Sequence, residues 1–403
     1  MREGKTRAPR RPAMRLRGAE PVDAQAIVNL LNDVYGDWGD LNRWQWKYQN
    51  PPAPFRFSSA VAEIEGRIIG HYGIVPLEMV MEGRIVRGAQ VVDAAVLPAN
   101  RRCGVFSALL RRAVPDTVRA GAQLVYGFPG LLSLAANRRN GFRSVGFVPE
   151  MVKVLRPAGA LAAALKSVPG DLVALWNVQR QIDQRPDTIR RLARLRRVLL
   201  FLVCLASGPA ALWPHLHPSR TGTGFRLVEV ARFDERFDAL WSQLQESVAL
   251  GLRKDARYLT WRYLYDRGGR FRILAAERGQ ALAGFLVLRQ SGGSSQIAEL
   301  LAAPGQLDVV WGLLAMATEQ ARRENSLVIT AWAPPGHPHH SILSQAGFVS
   351  PERLHRLARS RSYLGDRLYQ VILYTQHLPS AQQAELCGQA GQWSLAMGDS
   401  DLV

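Results

Sequence analysis

The chain has only three cysteines, Cys103, Cys204 and Cys387, and no two of them are close in sequence. This excludes a disulfide framework and the paired spacing of a zinc site, and it suits a reducing cytoplasm. Long apolar runs are missing too. The best candidate, Val198 to Ala206, is closed by Gly208-Pro209 and stays short of the ~20 residues that span a bilayer. The N-terminus lacks the apolar segment of a secretory signal. Acidic residues are scarce, with 33 Asp and Glu against 51 Lys and Arg, a formal net charge of +18. Such a surplus suits nucleic acid, anionic lipid or polyanionic ligands, and equally an arginine-rich proteome. It is nearly all arginine and spread along the chain, so no specific nucleic-acid contact is expected. What remains is a globular composition, 47% hydrophobic over 403 residues, which implies about two domains.

The most informative stretch is Ala89 to Arg112. Val91 to Leu97 is an apolar, β-branched run broken only by Asp93, and Pro98 ends it because proline cannot donate to a sheet ladder. A basic turn follows, Asn100-Arg101-Arg102-Cys103-Gly104. Val105, Phe106, Leu109, Leu110 and Ala113 then recur at helical spacing. A helix opening on a cationic turn offers unpaired N–H groups and positive potential to a pyrophosphate. An ordinary strand–helix corner with a solvated arginine pair accounts for the same residues.

This turn, Arg101-Arg102-Cys103-Gly104-Val105-Phe106, resembles the acetyl-CoA-binding motif of the GNAT (GCN5-related) acyltransferases, Arg/Gln-x-x-Gly-x-Gly/Ala after a strand. Phe106 replaces the final small residue and must point away from the phosphates. The order around it is similar to that family as well. A strand begins at Leu16 and a helix at Pro21-Val22-Asp23. Hairpins turn at Glu65-Gly66-Arg67 and Glu82-Gly83-Arg84, a strand spans Gln123 to Phe128, a helix spans Leu131 to Arg139, and Gly146-Phe147 closes the unit. The resemblance implies acetyl-CoA (or another acyl-CoA) as co-substrate, held by Val96, Leu97, Arg101, Arg102, Cys103, Gly104, Val105, Phe106 and Ser107, with no metal. It also implies an amine acceptor, a small molecule or glycoconjugate such as an amino sugar or amino-acid conjugate of cell-surface polysaccharide.

The family's acid position holds Phe142, which has no proton to give, so Tyr126 is the nearby phenol. Asp93 interrupts an apolar strand and is a candidate base or amine anchor. A structural Asp reads equally well, and Glu63 and His71 lie on neighbouring strands. Trp44 and His71 are candidate acceptor contacts. Trp46 reads as structural, because it recurs.

The recurrence is internal. Trp46-Lys47-Tyr48, Phe57, Ala62-Glu63 and Gly70 return as Trp261-Arg262-Tyr263, Phe271, Ala276-Glu277 and Gly284, and Gly146-Phe147 returns as Gly347-Phe348. An ordered set of matches implies duplication. The fold expected is α/β with mixed sheets: two tandem GNAT-like folds joined by a helical linker. Its parts are a disordered basic arm (1–14), an N-terminal domain (15–155), an Arg-rich linker (156–223), a C-terminal domain (224–378) and a flexible tail (379–403). The C-terminal turn, Ala302-Ala303-Pro304-Gly305-Gln306, lacks the arginines and is expected not to hold a pyrophosphate.

The linker carries seven arginines between Arg180 and Arg197 beside its apolar run. This fits peripheral contact with an anionic inner membrane, or burial between the halves with arginine stems covering apolar surface. Two other functions stay open at this point: an aminoacyl or peptidyl transferase like the FemABX enzymes, and a non-catalytic module at a membrane surface.

Overall fold

The computed structural model describes residues 13–148, 150–160, 224–264, 270–291, 293–333, 337, 339–349, 369–374 and 380–400. The basic arm up to residue 12 and the linker from residue 161, with its arginines, lie outside the described residues. Among the described residues no helix is long and apolar enough to cross a membrane.

The first elements are β1 (Met14–Gly18), α1 (Ala24–Tyr35) and α2 (Leu41–Trp44), which runs on into a π-helical turn, Gln45–Gln49. Next come β2 (Ala60–Ile64), β3 (Arg67–Met81) and β4 (Arg84–Val96). Both hairpins turn on a Glu-Gly pair at positive φ, 50° and 78° at Glu65-Gly66 and 50° and 74° at Glu82-Gly83, the twist that joins antiparallel strands tightly. α3 (Val105–Arg119), β5 (Leu124–Gly127), α4 (Leu131–Arg139), β6 (Arg143–Val148) and β7 (Glu150–Val154) follow.

The second series begins with β8 (Arg226–Val230), α5 (Glu235–Gln245), β9 (Leu250–Leu252) and α6 (Ala256–Leu264). It continues with β10 (Arg270–Arg278), β11 (Ala281–Ser291), β12 (Ser294–Ala302), α7 (Leu307–Arg323), β13 (Val328–Trp332) and α8 (His340–Gln345). The last elements are β14 (Tyr369–Tyr374), α9 (Ala381–Gly388) and β15 (Trp393–Ser394).

Two sheets result, and they share one pattern of directions. In the first, β1, β2, β3 and β4 are antiparallel neighbours, β4 and β5 are parallel, and β14 is antiparallel to β5. In the second, β8, β10, β11 and β12 are antiparallel neighbours, β12 and β13 are parallel, and β7 is antiparallel to β13. The last strand of each series is therefore exchanged. β7, expected inside the N-terminal domain, completes the second sheet, and β14 lies between β5 and β6 of the first. Composition gives no hint of this, because an apolar strand reads the same whichever sheet accepts it.

The sheets meet across a core that includes Leu77, Met79, Val92 and Tyr126 of the first and Ile273, Phe285, Val287 and Trp332 of the second. Helices cover the other side, with Leu109 and Leu110 of α3 against Ile69 and Ile74, and Leu313 and Leu314 of α7 against Leu286 and Leu288. β3 is thus buried on both faces and reads as a nearly continuous apolar run. The repeated tryptophans clasp this seam. Trp46 and Trp261 stack at 4.8 Å, and each indole N–H donates to the other's carbonyl, at 2.7 and 3.1 Å.

Of the tail, expected to be flexible, residues 380–400 are instead packed. α9 and β15 dock on the fold, Cys387, Trp393, Leu395 and Met397 are buried in the same core, and β15 pairs with β9. Asp399 makes a buried ion pair with Lys254 at 3.0 Å. Gln- and Gly-rich sequence looks loose, but Cys387 and six of the eight residues from Trp393 to Ser400 are buried, which is enough to dock it.

Candidate active site

The β4–β5 ladder pairs Gly88 to Val91 with Leu124 to Gly127 and then stops, while β4 runs on to Val96. Where two neighbours part, one backbone edge is left unpaired. β4 also bulges there. His71 faces Ala95 and Gly73 faces Val92, so three steps of β4 match two of β3. Asp93 occupies the bulge at φ 46°, a left-handed conformation that costs about 1–2 kcal/mol outside glycine.

Three donors hold it: Lys47 Nζ at 2.9 Å, Tyr48 OH at 2.6 Å and Trp38 Nε1 at 2.9 Å. Lys47 and Tyr48 come from the π-helical turn, a device often found at functional sites. Burial by itself raises the Asp93 pKa, but the Lys47 charge and the hydrogen bonds outweigh it and leave the pKa lowered. A buried carboxylate with three donors and a lowered pKa is a poor proton acceptor. Asp93, read from sequence as base or amine anchor, has the geometry of an anchor for the bulge.

His71 sits beside it, 1% exposed, with Nδ1 3.0 Å from the Asp93 carbonyl. A carbonyl only accepts, so Nδ1 carries the proton and Nε2 the lone pair. Nε2 is buried and has no hydrogen-bond partner among the described residues. Burial lowers the His71 pKa and keeps the ring neutral. Trp44 is also buried, and its Nε1 is likewise unpartnered among the described residues. Both rings pack on Tyr48, at centroid distances of 5.6 Å for His71 and 6.0 Å for Trp44. Buried polar atoms without partners are rare enough to need an explanation, and two around one phenol mark a polar spot within the apolar N-terminal core. Gly73 is required beside it: a Cβ would lie 2.6 Å from the Val92 carbonyl and strike the Tyr48 hydroxyl.

Beyond β4, Arg101 Nε turns back to the Val96 carbonyl at 3.1 Å, and the Leu97 N–H donates to Ile69 at 2.9 Å. These bonds spend the Val96 carbonyl and the Leu97 N–H, which sequence places at a thioester. Upstream, the Asp93 carbonyl lies 3.0 Å from His71 Nδ1 and the Ala94 carbonyl accepts from Tyr35 OH at 2.8 Å. The edge that β5 leaves between Val92 and Ala95 is therefore open only in part. Arg102 and Gly104 both take positive φ, 62° and 79°, and wind the chain into α3. Arg102, Cys103 and Gly104 are exposed. The Ala108 N–H is the first to bond within α3, to Gly104 at 3.0 Å, so Val105, Phe106 and Ser107 present N–H groups without intrahelical acceptors. Phe106 packs edge-on against Tyr72 at 5.7 Å, on the core side of the turn. Ser107 Oγ accepts from Asn140 at 3.3 Å, which ties α3 to the end of α4.

Other expected residues lie elsewhere. Tyr126 is fully buried between the sheets, its ring against Phe128 and Trp393, so it is a packing residue of the seam. Phe142 is buried in the N-terminal core. Glu63 pairs with Arg17 on β1 at 2.9 Å, and its counterpart Glu277 pairs with Arg226 on β8 at 2.7 Å.

Lys47, Tyr48 and Trp38, the partners of Asp93, were not foreseen in that role. The one available signal was the return of Trp-Lys-Tyr as Trp-Arg-Tyr. In the second half a buried carboxylate again sits at a bulge of the fourth strand: Glu299 has Tyr263 OH at 3.4 Å and Lys254 Nζ at 2.7 Å.

Residues 15–145 match a family model described as an acetyltransferase (GNAT) domain. No curated relative matches the chain in sequence. In fold, the chain is similar to a GCN5-related N-acetyltransferase of Kribbella flavida, at 13% identity and TM-score 0.53, over 91% of this chain and 72% of that one. It is similar to one of Anabaena variabilis at 11% identity and TM-score 0.57, over 90% and 72%. A probable N-acyltransferase of Enterococcus faecalis gives 10% identity and TM-score 0.57, over 91% and 73%.

Proposed function

We propose, from the acyltransferase domain of GNAT type at residues 15–145, that this chain moves an acyl group from acyl-CoA to an amine, with one working cleft in its first half. The observation that carries this reading is the parting of β4 from β5 at Val91 and Gly127, ending in a cationic, left-handed turn at a helix N-terminus. The residues fit the co-substrate. Arg102 and the N–H groups of Gly104 to Ser107 suit a pyrophosphate, and the backbone groups between Val92 and Ala95 that β5, His71 and Tyr35 leave unspent suit an amide-bearing arm. Acyl-CoA supplies the activated carbonyl. Asp93, fixed by Lys47, Tyr48 and Trp38, keeps the bulge and therefore the direction of that edge. His71 Nε2, neutral and with its lone pair unpartnered among the described residues, suits a hydrogen bond from the acceptor amine, while its burial disfavours taking the proton itself.

The second half is read as a duplicate that has lost the ligand. β12 and β13 part in the same way, after Ile297 and Ala331, and Gly305 keeps the left-handed turn at φ 77°. Ala303 and Pro304 stand where the arginines would be. The segment 397–399 packs against this half, with Met397 Sδ 3.7 Å from Thr330 Oγ1. An amino sugar or amino-acid conjugate remains the proposed acceptor. Calorimetry with acetyl-CoA, followed by acyl transfer assays over a panel of amines, tests the reading. Failure to bind any acyl-CoA would sink it.

A further inference from the structure

A groove of about 570 Å³ runs along the seam between the halves. One wall is Pro51-Pro52, just past the π-helical turn; the other is Phe233 with Trp261 of α6. None of residues 92–107 lines it, so it is distinct from the proposed acyl-CoA cleft. Pockets of about 300–1,000 Å³ enclose small organic ligands and favour seams between domains.

Its charge is one-sided. Among the described residues two guanidinium groups line it, Arg56 and Arg257, and no carboxylate does. Arg56 is held by its own loop, Nη1 donating to Ala53 at 2.8 Å and to Phe55 at 3.1 Å, so its fork is pre-organised with further N–H groups to spare. Arg257 is exposed and makes no ion pair or hydrogen bond among the described residues. The Trp261 indole N–H is spent on Trp46, which leaves its ring as an apolar surface.

We propose that this groove binds an organic anion with a flat apolar body. The body lies against Trp261 and Phe233, and the anionic group lies between Arg56 and Arg257. This does not depend on catalysis by the cleft.

The test is calorimetric titration of the full chain with naphthalene-2-sulfonate and, in parallel, with neutral 2-naphthol. One site per chain is expected, with the sulfonate about tenfold tighter than the naphthol. Arg257→Gln should weaken the sulfonate about fivefold and leave the naphthol unmoved. Thr260→Trp, which fills the groove, should abolish both, with thermal melting used to confirm that each variant is folded. Should Thr260→Trp misfold, Arg56→Gln takes its place and should match the loss seen with Arg257→Gln. Gly104→Glu, at a residue that does not line the groove, should leave the affinity of the folded variant for both probes unchanged. No binding, equal affinity for the two probes, indifference to Arg257→Gln, or loss in Gly104→Glu would each overturn the proposal.

Discussion

At Gly104 and Asp93, backbone conformation and chemistry are coupled. Gly104 sits at φ 79°, and a Cβ there would meet nothing within 4 Å, so a side chain is strained by conformation and projects into open space at the turn. Gly104→Glu should cost about 1–2 kcal/mol of stability yet abolish acetyl-CoA binding, because a carboxylate then faces the pyrophosphate. Calorimetry beside urea unfolding separates the two effects, and unchanged affinity in a folded variant refutes the cofactor assignment. At Asp93, Asp93→Asn strands Lys47 in a buried site and should cost about 3–5 kcal/mol, while adding Lys47→Met should restore part of it. A double-mutant cycle measures this. Lost turnover with stability intact would instead give Asp93 the role of proton acceptor. His71 has a folded-state pKa pushed below that of the unfolded chain by burial, so the unfolded state takes up its proton first. Stability is therefore full above about pH 6.5 and falls as pH drops below it. His71→Asn keeps a donor near the Asp93 carbonyl. It should flatten that fall in thermal melts, and a loss of about 10²–10⁴ in kcat with stability intact would make Nε2 the proton acceptor after all.

Among the elements, two strand–turn–helix units follow one order and differ in turn length and charge. β4 leads through Arg101 and Arg102 into α3, and β12 leads through Ala303 and Pro304 into α7. Both turns carry a left-handed glycine, at φ 79° and 77°, but the first is longer, residues 97–104 against 303–306, and has a second left-handed residue, Arg102 at φ 62°. Charge and occupancy separate them further, since the second lacks arginines and its half receives the chain's own segment 397–399. Titration with CoA should therefore saturate at one molecule per chain, and crystals soaked in CoA should show the first turn occupied and the second empty. Two equivalents bound would show that the arginines are dispensable.

Across the whole molecule, the exchange of β7 and β14 makes each half depend on the other. Without β14, β5 and β6 have no strand between them, and without β7, β13 loses its antiparallel neighbour. The seam adds an apolar core and the reciprocal Trp46–Trp261 clasp, an arrangement like a two-fold dimer joined into one chain. Residues 13–160 and 224–403 produced separately should aggregate or stay unfolded, and produced together should recover a complex with the circular dichroism and elution volume of the full chain. A folded, monomeric 13–160 would show that the exchange is not required.

Local chemistry was legible from the residues alone. The Glu-Gly turns demand positive φ, the apolar periods of α1 and α3 declare their buried faces, and Arg101 to Phe106 mark a strand–turn–helix junction, because each signal lies within a few residues and depends on backbone preference and side-chain period. The order of matches from Trp46 to Gly70 and from Trp261 to Gly284 also implied a duplication, and the two sheets share one pattern of strand directions. What joins residues far apart was not legible. An isolated Asp93 does not say that Lys47, Tyr48 and Trp38 will surround it and hold it ionised. An apolar strand does not say which sheet it enters, and a polar tail does not announce that Trp393 and Asp399 will be buried between the halves. Pairing, burial and charge compensation depend on the summed packing of the folded chain, and for this protein those long-range terms decide the role of Asp93, the ownership of β7 and β14, and the order of the tail.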